Sequence, residues 1–167
     1  MHKMTTQIQL ACQQDVSQLV AMLTACATHM DQLGMSHWLG VYDAASVRQN
    51  LLQKSVYVLK QNSQIIGCVA LGIRPADYYV DCWPNAPEAD FYLTQLAVHP
   101  DYQQAGYGQL LLQHCLNLVG TRTLHLDAVA HYPELLNFYR RAGFIQIAEG
   151  MGLGDLRCLF EYRASSQ

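Results

Sequence analysis

The stretch that decides the fold is FYLTQLAVHPDYQQAGYG, residues 91–108, and the pattern LLLQHCLNLV follows over residues 110–119. The apolar run Phe91–Val98 predicts a strand. The second pattern has helical spacing and ends at Gly120. Between them, Gly106 and Gly108 form a turn that a ligand can approach closely, because glycine has no Cβ. Free N–H groups and the macrodipole at the start of such a helix favour an anion, so this segment predicts a phosphate site.

Two common phosphate-binding motifs do not fit this turn. A Rossmann fingerprint requires a third glycine, but Leu111 stands at that place. A P-loop requires Gly-Lys-Ser/Thr, whereas Gly108 is followed by Gln109 and Leu110. Both motifs are therefore excluded.

The remaining chain predicts a mixed α/β pattern. Strands are expected at 7–10, 56–59, 65–73, 124–129, 144–148 and 156–162, and further helices after Asp15, over 43–52 and from Pro133 to Gly143. Asp15 and Gln18 have the spacing of a capping box, and residues 74–90 read as a loop. The strand–helix–strand order over 91–129 requires parallel neighbours. We therefore expect one α/β (α+β) domain over residues 1–167, with a mostly antiparallel sheet of about seven strands and about four helices.

Composition narrows the class of protein. The 167 residues are 51% hydrophobic and 14% charged, with a formal net charge of −3. No run of Lys or Arg exists, which argues against nucleic-acid or membrane-surface binding. The amino end lacks a signal-peptide core and no apolar stretch reaches a membrane span, so we expect a cytoplasmic protein. The six cysteines are scattered and no His or Cys falls at zinc-ligand spacing, so no metal site is predicted.

Together with its flanks, the glycine turn resembles a known family. Gln103–Gly108 resembles the Q/R-x-x-G-x-G/A pyrophosphate loop of the GNAT superfamily of N-acetyltransferases. Leu96–Tyr102 is similar to the family's L-x-V-x-P-x-Y run, Leu124–Asp127 to its fifth strand, and Phe138–Phe144 to its F-Y-x-x-x-G-F signature. The match covers about residues 91–144 and implies a GNAT-like fold with acetyl-coenzyme A as cosubstrate.

The resemblance also implies residue roles. The Leu96–Val98 backbone would bond the pantetheine arm, and the Val98 N–H would polarise the thioester carbonyl. Tyr139 would donate a proton or hydrogen bond to the departing thiolate, and the Gln103 side chain would bond the phosphate end of the cofactor. The implied cofactor-binding residues are Leu96, Ala97, Val98, Gln103, Gln104, Ala105, Gly106, Tyr107, Gly108, Gln109, Tyr132 and Tyr139.

Two positions depart from the family pattern. Tyr132 stands seven residues before Tyr139, where the family often has an Asn that contacts the pantetheine or adjoining backbone. The loop Gln103–Gly108 contains no Lys or Arg. Cofactor affinity must therefore come from backbone amides and the helix dipole.

An amine acceptor must lose a proton before it attacks. Glu88 and Asp90, just before the cofactor strand, and His99 are candidates for a base acting through water, and direct proton loss to water is an alternative. Asp127 could order the site or bond backbone. The acids of the 75–90 segment would favour a cationic amine; they are Asp77, Asp81, Glu88 and Asp90.

These observations predict an N-acetyltransferase that moves the acetyl group of acetyl-coenzyme A to a primary amine by direct attack in a ternary complex. The acceptor would be a small-molecule or peptide amine, with no nucleic-acid or membrane partner. The closing strands could pair in a homodimer. The alternative is a non-catalytic acyl-coenzyme A-binding regulatory or partner module, which could dispense with Tyr139.

Overall fold

The computed structural model describes residues 5–165. Its strands are β1 Thr6–Leu10, β2 Ser55–Gln61, β3 Gln64–Gly72, β4 Phe91–Val98, β5 Leu124–Val129, β6 Ile145–Gly152 and β7 Asp155–Tyr162. Its α-helices are α1 Val16–Gln32, α2 Ala44–Gln53, α3 Tyr79–Cys82, α4 Tyr107–Val119 and α5 Pro133–Arg141. The strands follow the order β1-β2-β3-β4-β5-β7-β6 in a seven-stranded sheet, which confirms the predicted mixed fold. The additional helix α3 is a single turn inside the segment predicted as a loop.

The chain divides into two compact units. Within residues 5–165, the first contains the described residues up to Leu71 and Thr94–Cys115, and the second contains Gly72–Leu93 and the described residues from Leu116 onward. Both β4 and α4 contribute residues to each unit. The expectation of one domain over residues 1–167 stays a prediction.

The first unit contains a meander of β1, β2 and β3, with the second part of β4 next to β3. Both pairings within the meander are antiparallel. Asn62 and Ser63 connect β2 to β3 with φ of 51° and 70°, as expected for a tight hairpin turn. Leu19 and Leu23 of α1 are fully buried in a cluster that also contains Val58. The apolar stripe of α1 therefore packs on the sheet, as its spacing predicts.

The capping box expected at the start of α1 was wrong. The Asp15 side chain does not cap α1; its carboxylate accepts a hydrogen bond from the Cys12 N–H at 2.9 Å. Gln18 accepts instead from the Ile65 N–H at 3.1 Å. A short 3-10 turn, Gln13–Asp15, precedes the α-helix and shifts the capping position to Cys12.

The second unit has the strand order β4-β5-β7-β6. β4 and β5 are parallel, with Phe91 opposite Leu124, which confirms the crossover predicted for 91–129. The remaining pairs, β5 with β7 and β6 with β7, are antiparallel. Tyr79 and Trp83 pack with Leu159 in a separate buried cluster.

Candidate active site

The predicted cofactor loop is an open turn ahead of α4. Gln104 and Gly106 have positive φ values of 63° and 85°. Left-handed residues two positions apart in a loop turn the intervening N–H groups toward one concave surface. In the described part of the chain, the N–H groups of 104–109 donate to no acceptor, and Leu110 makes the first helical bond, to the Gly106 carbonyl at 3.0 Å. The loop therefore fits a phosphate group.

The space around Gly106 and a hydrogen bond of Tyr107 are both consistent with a phosphate site at this loop. A Cβ built on Gly106 would meet no atom within 4 Å, so the concave side of the loop is open. Tyr107, the first residue of α4, accepts a hydrogen bond from Gln61 of β2 at 3.2 Å through its hydroxyl. This bond ties the beginning of α4 to the sheet of the first unit.

The end of β4 carries the backbone predicted to bind the pantetheine arm. Ala97 is buried against α1, whereas Leu96 and Val98 are half-buried. The Val98 carbonyl accepts from Cys26 Sγ at 3.3 Å and from Gln103 Nε2 at 3.0 Å. The Gln103 side chain therefore bonds the strand in this structure, and its predicted bond to the cofactor stays a prediction. Burial raises the pKa of Cys26 to about 12, so its thiol stays protonated and can donate.

A backbone irregularity in β4 turns two neighbouring side chains toward α2. Gln95 has a φ of 59° in the middle of the strand, a conformation that interrupts the strict alternation of side chains. Asn50 Nδ2 donates to Gln95 Oε1 at 2.9 Å, and Lys54 Nζ donates to Thr94 Oγ1 at 3.1 Å. The sequence analysis did not identify these residues. The polar pair Thr94 and Gln95 within a largely apolar strand was the available signal.

Tyr139 lies on α5 and is buried in an aromatic group. Its ring centroid lies 5.8 Å from that of Phe144 and 6.0 Å from that of Phe160. Burial, followed by the negative charge of Asp127, raises the pKa of the Tyr139 hydroxyl above its ordinary value. The phenol is therefore protonated at neutral pH, as a proton donor must be.

Tyr132 immediately precedes α5. Its hydroxyl lies 3.3 Å from Glu134 Oε2, to which it donates. Burial, followed by the Glu134 charge, raises the pKa of this hydroxyl. The contact with pantetheine proposed for this position stays a prediction.

The three candidate bases have different surroundings. Glu88 and Asp90 are exposed. The Asp90 carboxylate accepts from the Thr123 N–H at 2.9 Å and from its hydroxyl at 3.1 Å, and these bonds lower the Asp90 pKa. His99 Nδ1 accepts from the Asp101 N–H at 3.1 Å, which is a capping role.

Asp127 bonds side chains rather than backbone. Its carboxylate accepts from Tyr79 at 2.6 Å, from Tyr78 at 3.0 Å and from Arg157 Nη1 at 3.1 Å. Both side chains of the Asp127–Arg157 pair are 7% exposed. Asp127 therefore attaches the 75–90 segment to β5 through side-chain bonds, and its role in ordering the site stays a prediction.

A separate cavity of about 280 Å³ lies in the first unit. It is lined by residues of α1 and by residues 38–44, including Trp38 and Tyr42. None of residues 96–109 lines this cavity, so it is not the predicted cofactor site.

Within residues 5–165, no helix is both long and apolar enough to cross a membrane. The same residues contain no group of three or more His, Cys, Asp or Glu side chains that could hold a metal ion. All six cysteines are free thiols, and Cys12 is the exposed one.

Solved structures of other proteins have the same fold. A GNAT-family acetyltransferase from Streptococcus agalactiae 2603 superimposes with a TM-score of 0.82 at 13% identity, over 96% of each chain. The ribosomal-protein-S18-alanine N-acetyltransferase from Escherichia coli gives 0.74 at 17%, over 98% of this chain and 96% of its own. The PaiA N-acetyltransferase from Thermoplasma acidophilum, solved with coenzyme A, gives 0.74 at 16%, over 96% and 100%. At these identities the similarity is one of fold.

Two curated relatives match by sequence. The uncharacterized N-acetyltransferase YesJ of Bacillus subtilis (strain 168) is 25% identical over 141 residues, which cover 80% of this chain and 78% of YesJ. The amino-acid acetyltransferase of Vibrio atlanticus (strain LGP32) is 26% identical over 110 residues, which cover 66% of this chain and 22% of that protein. This chain thus matches about a fifth of the Vibrio protein.

A family model described as an acetyltransferase (GNAT) domain matches residues 53–146. That range is more than half of the chain and contains β4, the Gln103–Gly108 loop and Tyr139. The resemblance drawn from the motifs is thereby confirmed. Since the matched range holds both the loop and the signature helix, the chain belongs to the GNAT family and is an N-acetyltransferase.

Proposed function

We propose that this enzyme transfers the acetyl group of acetyl-coenzyme A to a primary amine by direct attack in a ternary complex. The observation that carries the proposal is the open loop Gln103–Gly108, in which the N–H groups of residues 104–108 donate to no acceptor within residues 5–165. Groups of this kind at a helix start bind phosphate oxygens without requiring a basic side chain. The family membership supports the same cosubstrate.

Bound acetyl-coenzyme A supplies an acetyl group activated as a thioester. The Val98 N–H donates to the carbonyl oxygen as negative charge develops there. Tyr139 donates a proton to the sulfur as the C–S bond breaks and the new C–N bond forms. The acceptor's ammonium loses one proton before attack and the new amide nitrogen loses a second. One of these two protons returns to Tyr139, and the other is released to solvent.

Tyr139 is the proposed general acid, and Glu88 and Asp90 are compared as candidates for the general base. The raised pKa of Tyr139 keeps its proton available at neutral pH. Glu88 is exposed and can act through water, whereas Asp90 is engaged by Thr123 and its lowered pKa makes it a weaker base. The acids of the 75–90 segment support a cationic acceptor. The names of the similar proteins include two different acceptors, an amino acid and an alanine of a ribosomal protein. These names therefore do not select the acceptor of this enzyme.

Calorimetric titration with acetyl-coenzyme A tests the loop. We expect saturable micromolar binding that is lost in Gly106→Trp. Gly120→Trp is the matched control, because Gly120 also has a positive φ, with open space around a built Cβ, at the other end of α4. Binding that survives Gly106→Trp, or equal loss in both variants, would contradict the cofactor role of the loop.

Substitution of Tyr139 separates the enzyme from a non-catalytic module. Tyr139→Phe should lower kcat by roughly 10²- to 10⁴-fold, because it removes a general acid while keeping the aromatic packing. Acetyl-coenzyme A binding should be unchanged. The measurement is free-thiol release with a panel of amines, and tight binding without turnover of any amine would favour the module.

A further inference from the structure

Two buried cysteine thiols donate to carbonyl oxygens of the cofactor strand β4. Cys26 Sγ of α1 lies 3.3 Å from the Val98 carbonyl oxygen, and Cys68 Sγ of β3 lies 3.3 Å from that of Gln95. Both cysteines belong to the core of the first unit. The two carbonyl groups bracket residues 96 and 97, so the thiols hold both ends of the stretch that is predicted to bind the pantetheine arm.

Each thiol has one hydrogen, which its surroundings direct to the strand. Burial raises the pKa of both thiols to about 12, so both are protonated at neutral pH. The other acceptor near Cys26 is the Met22 thioether at 3.6 Å, which is weaker than a carbonyl oxygen. Cys68 donates to the Gln95 carbonyl and accepts from the Gln95 side-chain nitrogen at 3.6 Å. The left-handed residue Gln95 is therefore attached to Cys68 by both its backbone and its side chain.

The peptide groups around Val98 determine the direction of its N–H. The His99 N–H donates to the Ile66 carbonyl of β3 at 2.7 Å. The Ala97 carbonyl oxygen also faces β3, since it lies 3.0 Å from a Cβ built on Gly67. The C=O and N–H of a trans peptide point in opposite directions. The N–H and the carbonyl of Val98 therefore both point away from β3.

Cys26 is the donor to Val98 that lies outside the cofactor loop. Gln103, the other donor, bonds the Val98 carbonyl through its side chain at 3.0 Å. The same Gln103 side chain is predicted to bond the phosphate end of the cofactor. When it does so, the Cys26 thiol still holds the Val98 carbonyl, and with it the direction of the Val98 N–H.

We propose that Cys26 and Cys68 are positioning residues for acetyl transfer, which keep the Val98 N–H directed at the thioester carbonyl. This inference rests on the proposed reaction, in which that N–H stabilises the developing negative charge. Such a donor is effective when its direction is fixed in advance, because a misdirected N–H must reorient before it bonds the oxyanion. The thiols act through the backbone of β4 and require no contact with substrate or cofactor.

The test replaces each thiol with a side chain that keeps or removes the hydrogen-bond donor. Cys26→Ser and Cys68→Ser keep a donor of similar size, whereas Cys26→Ala and Cys68→Ala remove it. Cys115→Ala is the matched control. Cys115 is a fully buried thiol of the same unit, and burial raises its pKa to about 12 as well. Within residues 5–165, no hydrogen bond joins the Cys115 thiol to β4.

Two readouts separate positioning from a loss of stability, which urea denaturation measures for every variant. The first is kcat and KM by free-thiol release, with an amine that the unmodified enzyme acetylates. The second is the NMR shift of the Val98 amide between the complexes with coenzyme A and with acetyl-coenzyme A. This second readout requires no acceptor, and calorimetry shows that each variant binds acetyl-coenzyme A.

We expect Cys26→Ala to lower kcat by roughly 10-fold, a part of the 10²- to 10³-fold that loss of a whole oxyanion donor costs. KM for acetyl-coenzyme A should change by less than about twofold, because the affected bond strengthens only in the transition state. Cys26→Ser should recover most of kcat. The Val98 shift should shrink in Cys26→Ala and return in Cys26→Ser. The Cys68 variants should follow the same order, and Cys115→Ala should leave kcat and the Val98 shift unchanged.

Failure of this inference differs from failure of the acetyl transfer itself. Equal losses of kcat in Cys26→Ala and Cys115→Ala, or a loss that Cys26→Ser does not recover, would overturn the positioning role and leave the transfer reaction standing. If no amine is acetylated, an unchanged Val98 shift in Cys26→Ala overturns the role. If one alanine variant does not fold, the other carries the comparison. If the unmodified enzyme does not bind acetyl-coenzyme A, the transfer reaction falls and this inference falls with it.

Discussion

Single residues in this enzyme are adjusted by burial and by partners far away in sequence. Tyr139 shows the effect: an aromatic enclosure and the Asp127 charge both raise the pKa of its hydroxyl. The nearly buried carboxylate of Asp127 is stabilised because it accepts hydrogen bonds from Tyr78, Tyr79 and Arg157. Buried charges are tolerated only with such partners.

Removing the Asp127 carboxylate should be costly. Asp127→Ala leaves the Arg157 guanidinium buried without its main partner, so we expect the free energy of unfolding to fall by about 3–5 kcal/mol. Asp155→Ala is the control, since Asp155 is 33% exposed and 4.0 Å from Arg157, and it should cost less than about 1 kcal/mol. Urea denaturation measures both, and equal losses would contradict the central place of Asp127.

Asp15 should make stability depend on acid pH. Burial alone would raise the pKa of Asp15. The hydrogen bond from the Cys12 N–H and the Lys60 ammonium together lower it by more than burial raises it, so the net pKa is below the ordinary value. A lowered folded pKa stabilises the fold above the unfolded pKa of about 4, and this contribution is lost as pH falls through the folded value. The gap in unfolding free energy between the enzyme and Asp15→Asn should therefore narrow on acidification. Parallel pH curves would contradict this assignment.

At the scale of elements, glycines decide how closely neighbouring helices and strands approach one another. α3 packs on β6, and a Cβ at Gly150 would overlap the Cys82 carbonyl oxygen. In the first unit, a Cβ at Gly67 of β3 would lie 3.0 Å from the Ala97 carbonyl oxygen of β4. These positions have no side chain because a neighbouring backbone occupies the space.

Gly150→Ala should displace α3. We expect a loss of about 1–3 kcal/mol from overpacking, with faster amide hydrogen exchange across residues 75–90. Gly154→Ala is the control, because Gly154 has a φ of 85° and open space; its left-handed backbone strain should cost about 1–2 kcal/mol without affecting that exchange. Unchanged exchange in Gly150→Ala would show that α3 adapts to the methyl group.

At the scale of the whole molecule, the outer strand of the second unit predicts that two copies of this chain associate. β6 ends the strand order there and exposes Ile145 at 69% and Met151 at 62%. An unpaired edge with apolar side chains favours pairing with a second copy. We expect the mass of a dimer by light scattering and of a monomer for Ile145→Asp with Met151→Asp. Leu52→Asp, at an 81% exposed position of α2, should leave the dimer intact, and a monomeric unmodified enzyme would contradict the proposal.

Much of the fold could be predicted because its signals are local. Phe91–Val98 and Leu124–Val129 were predicted with the bounds that β4 and β5 have. Apolar patterns and flanking turn residues act over a few positions, so they are readable without knowledge of the partners. The glycine loop was recognised for the same reason, since Gly106 and the start of α4 are neighbours in the chain.

The remaining features depend on contacts between residues that are distant in sequence. Asn50 meets Gln95 across 45 positions, and Tyr79 meets Asp127 across 48. No local pattern predicts the left-handed φ of Gln95 or the one-turn helix α3, because both depend on what packs against them. Local sequence thus determined most of the elements and the glycine loop. Packing alone decided the surroundings of Tyr139 and the bonds of Asp127, because burial and charge pairing arise only once the chain is folded.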